Sequence, residues 1–392
     1  MMINFSTVSD HITSQPMFEI LSRVQELERT GQEILHFELG EPDFSTPDNI
    51  KAAAINAING DQTKYAPSGG LHEFKEVVQE TTLKSRGFKP ELNQILITPG
   101  ANSIIYFALK CVINPGDEII VPDPGFPTYY SAIHALGGIP KPLKLNENDD
   151  FSFSHESLEQ LITHQTKAII LNSPSNPTGQ TLSSNLVKKV YEISAKNNIL
   201  LISDEIYARV IFDDTKFASP STYDECKGNT LILNGFSKAF SMTGWRLGVA
   251  IGPENLIQKM TNLTSTIASC VPPFIQIAGI AAVTGDQRAV KHMVKTYHER
   301  SKILVNGLNS VKGISCLMPK GAIYAFPNIT GTGMNSAQFS ELLLRKCNIA
   351  VTPGHCFGAN GEGYVRFSTV NGDNTIREAL RRITDLFGTK PV

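Results

Sequence analysis

Gly235-Phe-Ser-Lys238-Ala-Phe-Ser-Met-Thr-Gly-Trp-Arg246 closely follows the apolar run Leu231-Ile232-Leu233. A run of this kind reads as a buried strand, so the lysine stands in the loop beyond a strand end, among small residues, with an arginine eight positions on. This arrangement suits an amine that binds a phosphate-bearing aldehyde. A Schiff base needs a neutral amine, and partial burial beside another cation lowers a lysine pKa toward that state. The planar fork of Arg246 offers the phosphate two parallel hydrogen bonds. Taken alone, a strand and loop with one Lys and one Arg is more often solvated surface, so the rest of the chain has to decide.

Working outward, five further β-rich apolar runs alternate with helical stretches: Gln94–Thr98, Glu118–Val121, Lys167–Leu171, Ile199–Ile202 and Gly248–Ile251. The spacing predicts βα units and a mostly parallel central sheet flanked by helices, an α/β fold. The loops after the strands carry the polar residues. They are Pro99-Gly100-Ala101-Asn102, Pro122-Asp-Pro-Gly-Phe126, Asn172-Ser-Pro-Ser-Asn176-Pro-Thr-Gly179, Asp204-Glu-Ile-Tyr207 and the lysine loop. Open α/β sheets bind ligands beyond the carboxyl ends of their strands, so these five loops are expected to meet in one crevice. Beyond Gly285, Val290, Met293, Val294, Tyr297 and Leu304 fall on one helical face, followed by strand-like pieces at 322–326 and 363–368 and a C-terminal helix. We therefore expect a large domain over 45–285 and a smaller α+β domain formed by 1–44 with 286–392.

Composition limits the function classes. A chain of 392 residues, 41% hydrophobic, can bury a large core, and a net charge of −2 offers no basic field for nucleic acid. No apolar stretch approaches the ~18 residues of a membrane span. The opening Met-Met-Ile-Asn-Phe lacks the basic start and apolar core of a secretory signal, and six scattered cysteines without a Cys-x-x-Cys pair read as reduced thiols. A cytoplasmic protein with neither a metal site nor a disulfide framework is the expectation.

The loops in this order resemble fold-type I pyridoxal-phosphate enzymes of the class I/II aminotransferase family, in its aspartate/aromatic aminotransferase-like subgroup. The matching pieces are Gly40-Glu-Pro-Asp-Phe44, Tyr65-x-Pro-x-x-Gly70, Pro99-Gly-Ala101, Asn172-x-x-x-Asn176-Pro-Thr-Gly179, Asp204-Glu-x-Tyr207, the lysine segment and Arg366-x-Ser368. Each is weak alone; together they are specific.

The resemblance implies pyridoxal 5'-phosphate as cofactor and a role for each residue. Lys238 would form the Schiff base and then move the proton between substrate and cofactor. Asp204 would hold the pyridine nitrogen protonated, so that the ring accepts electrons. Tyr207 and Asn176 would bond its phenolic oxygen. Phe126 would stack on one ring face, with Ile206 covering the other. Gly100, Ala101 and Asn102 open a helix whose free amides suit a phosphate, completed by Arg246, Ser237 and Tyr65 from a neighbouring subunit, which makes the active unit a homodimer. Many members have a phosphate-binding Ser where this chain has Gly235, leaving open whether Ser237 takes over. Arg366, with Gly40 and Asn176 beside it, would bind the substrate α-carboxylate.

The activity so implied is exchange of an amino group between an L-amino acid and a 2-oxo acid. A pyridoxal-phosphate lyase or cyclase on the same scaffold, such as a β-eliminase or an aminocyclopropane-carboxylate synthase-like enzyme, is the alternative. Some dicarboxylate-specific members of the subgroup carry a lysine where this chain has Asn102, and no other Lys or Arg can be assigned to a distal carboxylate. Phe18, Ile104, Tyr324 and Phe326 are candidates for an apolar pocket, and His355 and Cys356 replace small residues in a nearby loop.

Overall fold

The computed structural model describes residue 8 and residues 14–390; the opening segment read above for a targeting signal lies largely outside the described residues. Seven strands form the central sheet in the order Ile95–Pro99, Leu247–Ile251, Thr230–Gly235, Leu200–Asp204, Thr166–Asn172, Glu118–Asp123, Ile139–Lys144. All pairings are parallel except those of Leu247–Ile251, which runs antiparallel to both its neighbours. Burial on both faces explains why the central strands read as continuous apolar runs rather than alternating ones.

The edge strand Ile139–Lys144 was not legible in the sequence. Pro140 and Pro142 interrupt it, and proline cannot donate to a ladder. It is tolerated here because the strand has one neighbour and is largely solvent-facing.

Apolar cores pack on both faces of the sheet. One joins Phe74, Ile97, Tyr207, Phe236 and Tyr297; the other joins Ile104, Phe107, Ile133, Ile170 and Met260. A further core gathers Phe37 with Leu304, Phe339, Phe367 and Ile383, so residues near both ends of the chain share it. It underlies two small sheets: Leu35–His36 paired with Ile349–Ala350, and Val365–Ser368 between Thr352–Pro353 and Tyr324–Ala325. The long helix Arg288–Ser310 appears where the 3.6-residue spacing places it, and the helix Pro16–Arg29 precedes the strand Leu35–His36.

Candidate active site

The strand-end loops do meet. A cavity of about 490 Å³ is lined by Ala101, Asn102, Phe126, Asn176, Asp204, Ile206, Tyr207, Ser237, Lys238 and Arg246, joined by Gly40, Tyr324 and Arg366. Five loops separated by up to 145 positions reach one place because parallel strands all end on the same side of the sheet.

Lys238 stands at the centre. Its Nζ donates to the Gly40 carbonyl at 2.6 Å. Burial holds its amine below the usual lysine range, with Arg366 and Arg246 pushing the same way against the opposing pull of Tyr324 and Glu41. The net direction is toward the neutral form that a nucleophilic amine needs.

Asp204 is buried at the end of its strand, and burial raises its carboxyl to about 6. Two donors partly offset this: the Tyr129 hydroxyl at 2.6 Å and the Ile206 backbone amide at 3.1 Å. A buried carboxylate with two donors and no cation of its own is primed for a protonated ring nitrogen. The next residue points the other way. Glu205 is buried against Arg86, whose Nε lies 3.0 Å from it, and accepts from Ser203 and Ser219, which is a structural ion pair outside the cavity.

Arg366 is 1% exposed yet lines the cavity. It donates to Asn176 Oδ1 at 3.0 Å and the Glu38 carbonyl at 2.5 Å, and its guanidinium lies between the rings of Tyr324 (4.3 Å) and Phe357 (4.9 Å). Its buried Nε has no hydrogen-bond partner among the described residues, a donor left for an incoming anion. Asn176 is itself held by its backbone amide, which donates to Asn172 Oδ1 at 2.8 Å.

Gly100 caps the helix Ala101–Val112 at φ +85°, a conformation that suits glycine. A Cβ there would come within 2.4 Å of Arg246 Nη2, so the bare backbone lets the guanidinium settle over the helix N-terminus. Ser237 lines the cavity beside them, whereas Gly235 does not; a Cβ on Gly235 would press on Ile206 Cδ1 at 2.9 Å. The site thus has a hydroxyl at 237, and packing under Ile206 accounts for the glycine at 235.

Other residues named from the sequence fall elsewhere. Tyr65 is 88% exposed and does not line this chain's cavity. Phe18 and Tyr324 reach it, but Ile104 and Phe326 do not: both are spent on separate cores, Phe326 stacked on Tyr364 at 5.0 Å. His355 bonds Ser336 Oγ at 2.8 Å and, like Cys356, stays out of the cavity. Tyr129, absent from the sequence motifs, and Asn172, present in its loop without a role, also line the cavity. Tyr129 lies three residues after Phe126 at the start of one helix, its ring meeting that of Phe126 at 5.7 Å, and such i,i+3 spacing was the available signal.

The donor set fits pyridoxal phosphate. It has a depressed lysine, a buried carboxylate, a phenol and an amide, an aromatic face opposite an aliphatic one, and a helix N-terminus with an arginine and a serine for the phosphate. The chain belongs to the aminotransferase class I and II family, whose model matches residues 32–383. It is a pyridoxal-phosphate-dependent aminotransferase of fold type I. It is 40% identical to an aspartate aminotransferase of Pyrococcus horikoshii over 92% of this chain and 93% of the relative. It is 35% identical to aromatic-amino-acid aminotransferase 2 of Thermococcus litoralis, covering 91% and 92%. The solved structure of Thermus thermophilus aspartate aminotransferase with maleate superposes with a TM-score of 0.94 at 29% identity, covering 98% of this chain and all of that one. These relatives do not favour the lyase or cyclase alternative. No helix among the described residues is long and apolar enough to cross a membrane.

Proposed function

We propose that the enzyme transfers the amino group of an L-amino acid with an uncharged, largely apolar side chain. One observation carries this: the cavity presents three cations among the described residues, Lys238, Arg246 and Arg366, and each has other work. The rest of the lining includes Gln15, Met17, Phe18, Leu39, Glu41, Asn102 and Thr243, which offer a distal carboxylate no ion pair. The names of the relatives favour aspartate as a second reading, in which a cation from a neighbouring subunit would meet the distal carboxylate.

In the roles we assign, Arg366 binds the α-carboxylate with its fork, oriented by Asn176 and the two stacked rings. Asp204 pairs with the ring nitrogen, Tyr207 and Asn176 face the phenolic oxygen, Phe126 and Ile206 cover the ring faces, and Gly100, Ala101, Asn102, Ser237 and Arg246 take the phosphate. Pyridoxal phosphate held there would supply an aldehyde for the substrate amine and an electron sink for its Cα. Lys238 Nζ would take the proton from that Cα and hold it for return, acting as nucleophile and base from one position. Two bodies, 45–285 and 1–44 with 286–392, flank the crevice in this reading, which the sharing of one core by Phe37 and residues 304–383 supports. The exposed Tyr65 completes the phosphate site of a second copy in a homodimer. Six free thiols suit a cytoplasmic setting.

The test is the visible spectrum of the protein loaded with pyridoxal phosphate, followed as single amino acids are added without oxo acid. Conversion of the band by aromatic or aliphatic donors supports the reading. Conversion by aspartate or glutamate alone overturns it in favour of the second.

A further inference from the structure

Tyr324 does more in this cavity than line it. Its hydroxyl lies 2.9 Å from that of Tyr207, the rings meeting edge-on at 5.9 Å, and its face carries the Arg366 guanidinium at 4.3 Å. Both phenols are buried, Tyr207 at 3% and Tyr324 at 3% exposure. The backbone is shaped around this ring: a Cβ on Gly40 would fall 2.0 Å from the Tyr324 hydroxyl oxygen. Gly40 is also the residue whose carbonyl accepts from Lys238. One side chain therefore touches the carboxylate-binding arginine, the ring-oxygen tyrosine and the glycine that seats the lysine.

We infer that Tyr324 is a positioning residue for the transamination, its hydroxyl donating to Tyr207 so that the Tyr207 proton points at the cofactor oxygen, and its ring face fixing the plane of Arg366. The inference rests on the roles given above to Tyr207 and Arg366. Two neighbouring phenols share one hydrogen bond between them, so only one proton lies along it and the other is free to point elsewhere. The role given above to Tyr207 decides which. Burial raises the Tyr324 phenol, but Lys238, Arg366 and the hydrogen bond with Tyr207 lower it on balance; burial and Tyr324 raise Tyr207 against a smaller opposing effect of Arg366. A phenol has one proton, and with the Tyr207 proton directed at the cofactor oxygen the bond between the two hydroxyls takes its proton from Tyr324. The titratable and charged groups around the pair are Lys238, Arg366, Glu41 beside the lysine, and Asp204 beyond Tyr207. A donor on the Tyr207 oxygen strengthens its own outward hydrogen bond. A stronger bond to the ionised ring oxygen lowers the pH at which the bound cofactor gives up its proton.

The two functions separate by substitution. Tyr324→Phe keeps the ring under Arg366 and removes the hydroxyl; Tyr324→Leu removes both. For the loaded enzyme, the pH midpoint of the cofactor's visible band is expected to move up by roughly half a unit in Tyr324→Phe, with the donor KM unchanged within about twofold. In Tyr324→Leu the donor KM is expected to rise about tenfold as well, because the guanidinium loses one of its two supporting rings. Tyr207→Phe serves as the reference and is expected to move the midpoint further in the same direction. A midpoint that shifts in Tyr207→Phe and stays at the wild-type value in Tyr324→Phe overturns the inference alone. A midpoint unmoved in both variants overturns the assignment of Tyr207 to the ring oxygen, and the inference with it.

Discussion

Asp204 shows how a single residue holds chemistry in reserve. Burial lifts its carboxyl to about 6 while the unfolded chain keeps the ordinary value near 3.8. The cofactor-free folded protein therefore binds this proton more tightly than the unfolded chain. The stability tied to it is fully present below the unfolded value and is lost as pH rises through about 6. Asp204→Asn keeps an acceptor for Tyr129 and removes the buried charge. The cofactor-free variant is expected to melt a few degrees higher than wild type at pH 8, with the gap closing below pH 4, while losing affinity for pyridoxal phosphate. Thermal melts across that range check it, and a lower melting temperature at pH 8 would contradict the account. At Arg366 the fork itself matters. Arg366→Lys keeps the charge but loses the paired donors and the planar stack, so KM is expected to rise about ten- to a hundredfold for every amino donor alike, since all share the α-carboxylate. A rise confined to one donor class would move Arg366 to side-chain recognition.

At the scale of an element, the helix Ala101–Val112 buries Ile104, Ile105, Phe107, Ala108 and Leu109 while its first turn opens into the cavity. The apolar stripe fixes the helix against the sheet, and that fixed helix aims its free amides and dipole into the cavity, at the place we propose for the phosphate. The junction is Gly100. Gly100→Ala would strain a φ of +85° and displace the Arg246 guanidinium from above the helix end. The dissociation constant of the cofactor is expected to rise at least about tenfold, the scale of one charge-assisted hydrogen bond, with little change in far-ultraviolet dichroism. A fluorescence titration of the cofactor-free protein measures it. The loop pieces were legible because Gly, Pro and Asn punctuate strand ends for local reasons. The Ile139–Lys144 strand was not, because its β character comes from a neighbour more than ten residues away in sequence and not from its own residues.

Over the whole molecule, the question is how many chains make one site. Tyr65 stands exposed on the chain that carries it, and the homodimer reading sends it to the partner's phosphate. A subunit mixture tests this without a structure of the dimer. Lys238→Ala and Tyr65→Phe are each expected to lower activity strongly. In a hybrid dimer one site would carry both defects and the other neither. Random mixing makes half the dimers hybrid, so co-refolded samples should recover about a quarter of the wild-type activity. No recovery, from a mixture shown to form hybrids, would place Tyr65 in its own chain's site or in none.

What the sequence by itself determined was where the polar residues stand: Lys238, Asp204, Asn176, Tyr207 and Arg246 in the loops at the central strand ends and Arg366 in a strand, because strand periodicity and turn residues act over a few positions, while the roles proposed for them came from the resemblance. Which of these groups would touch was decided only by the tertiary structure. Tyr129 donates to Asp204 across 75 positions, Tyr324 meets Tyr207 across 117, and Arg366 reaches Asn176 across 190. The polarity of Leu247–Ile251 and the fate of Phe326 belong to the same class. Local sequence records each residue's preference for a strand, turn or helix face. The hydrogen bonds, ring stacks and shifted protonation of a buried site arise between residues that only the packed sheet brings together.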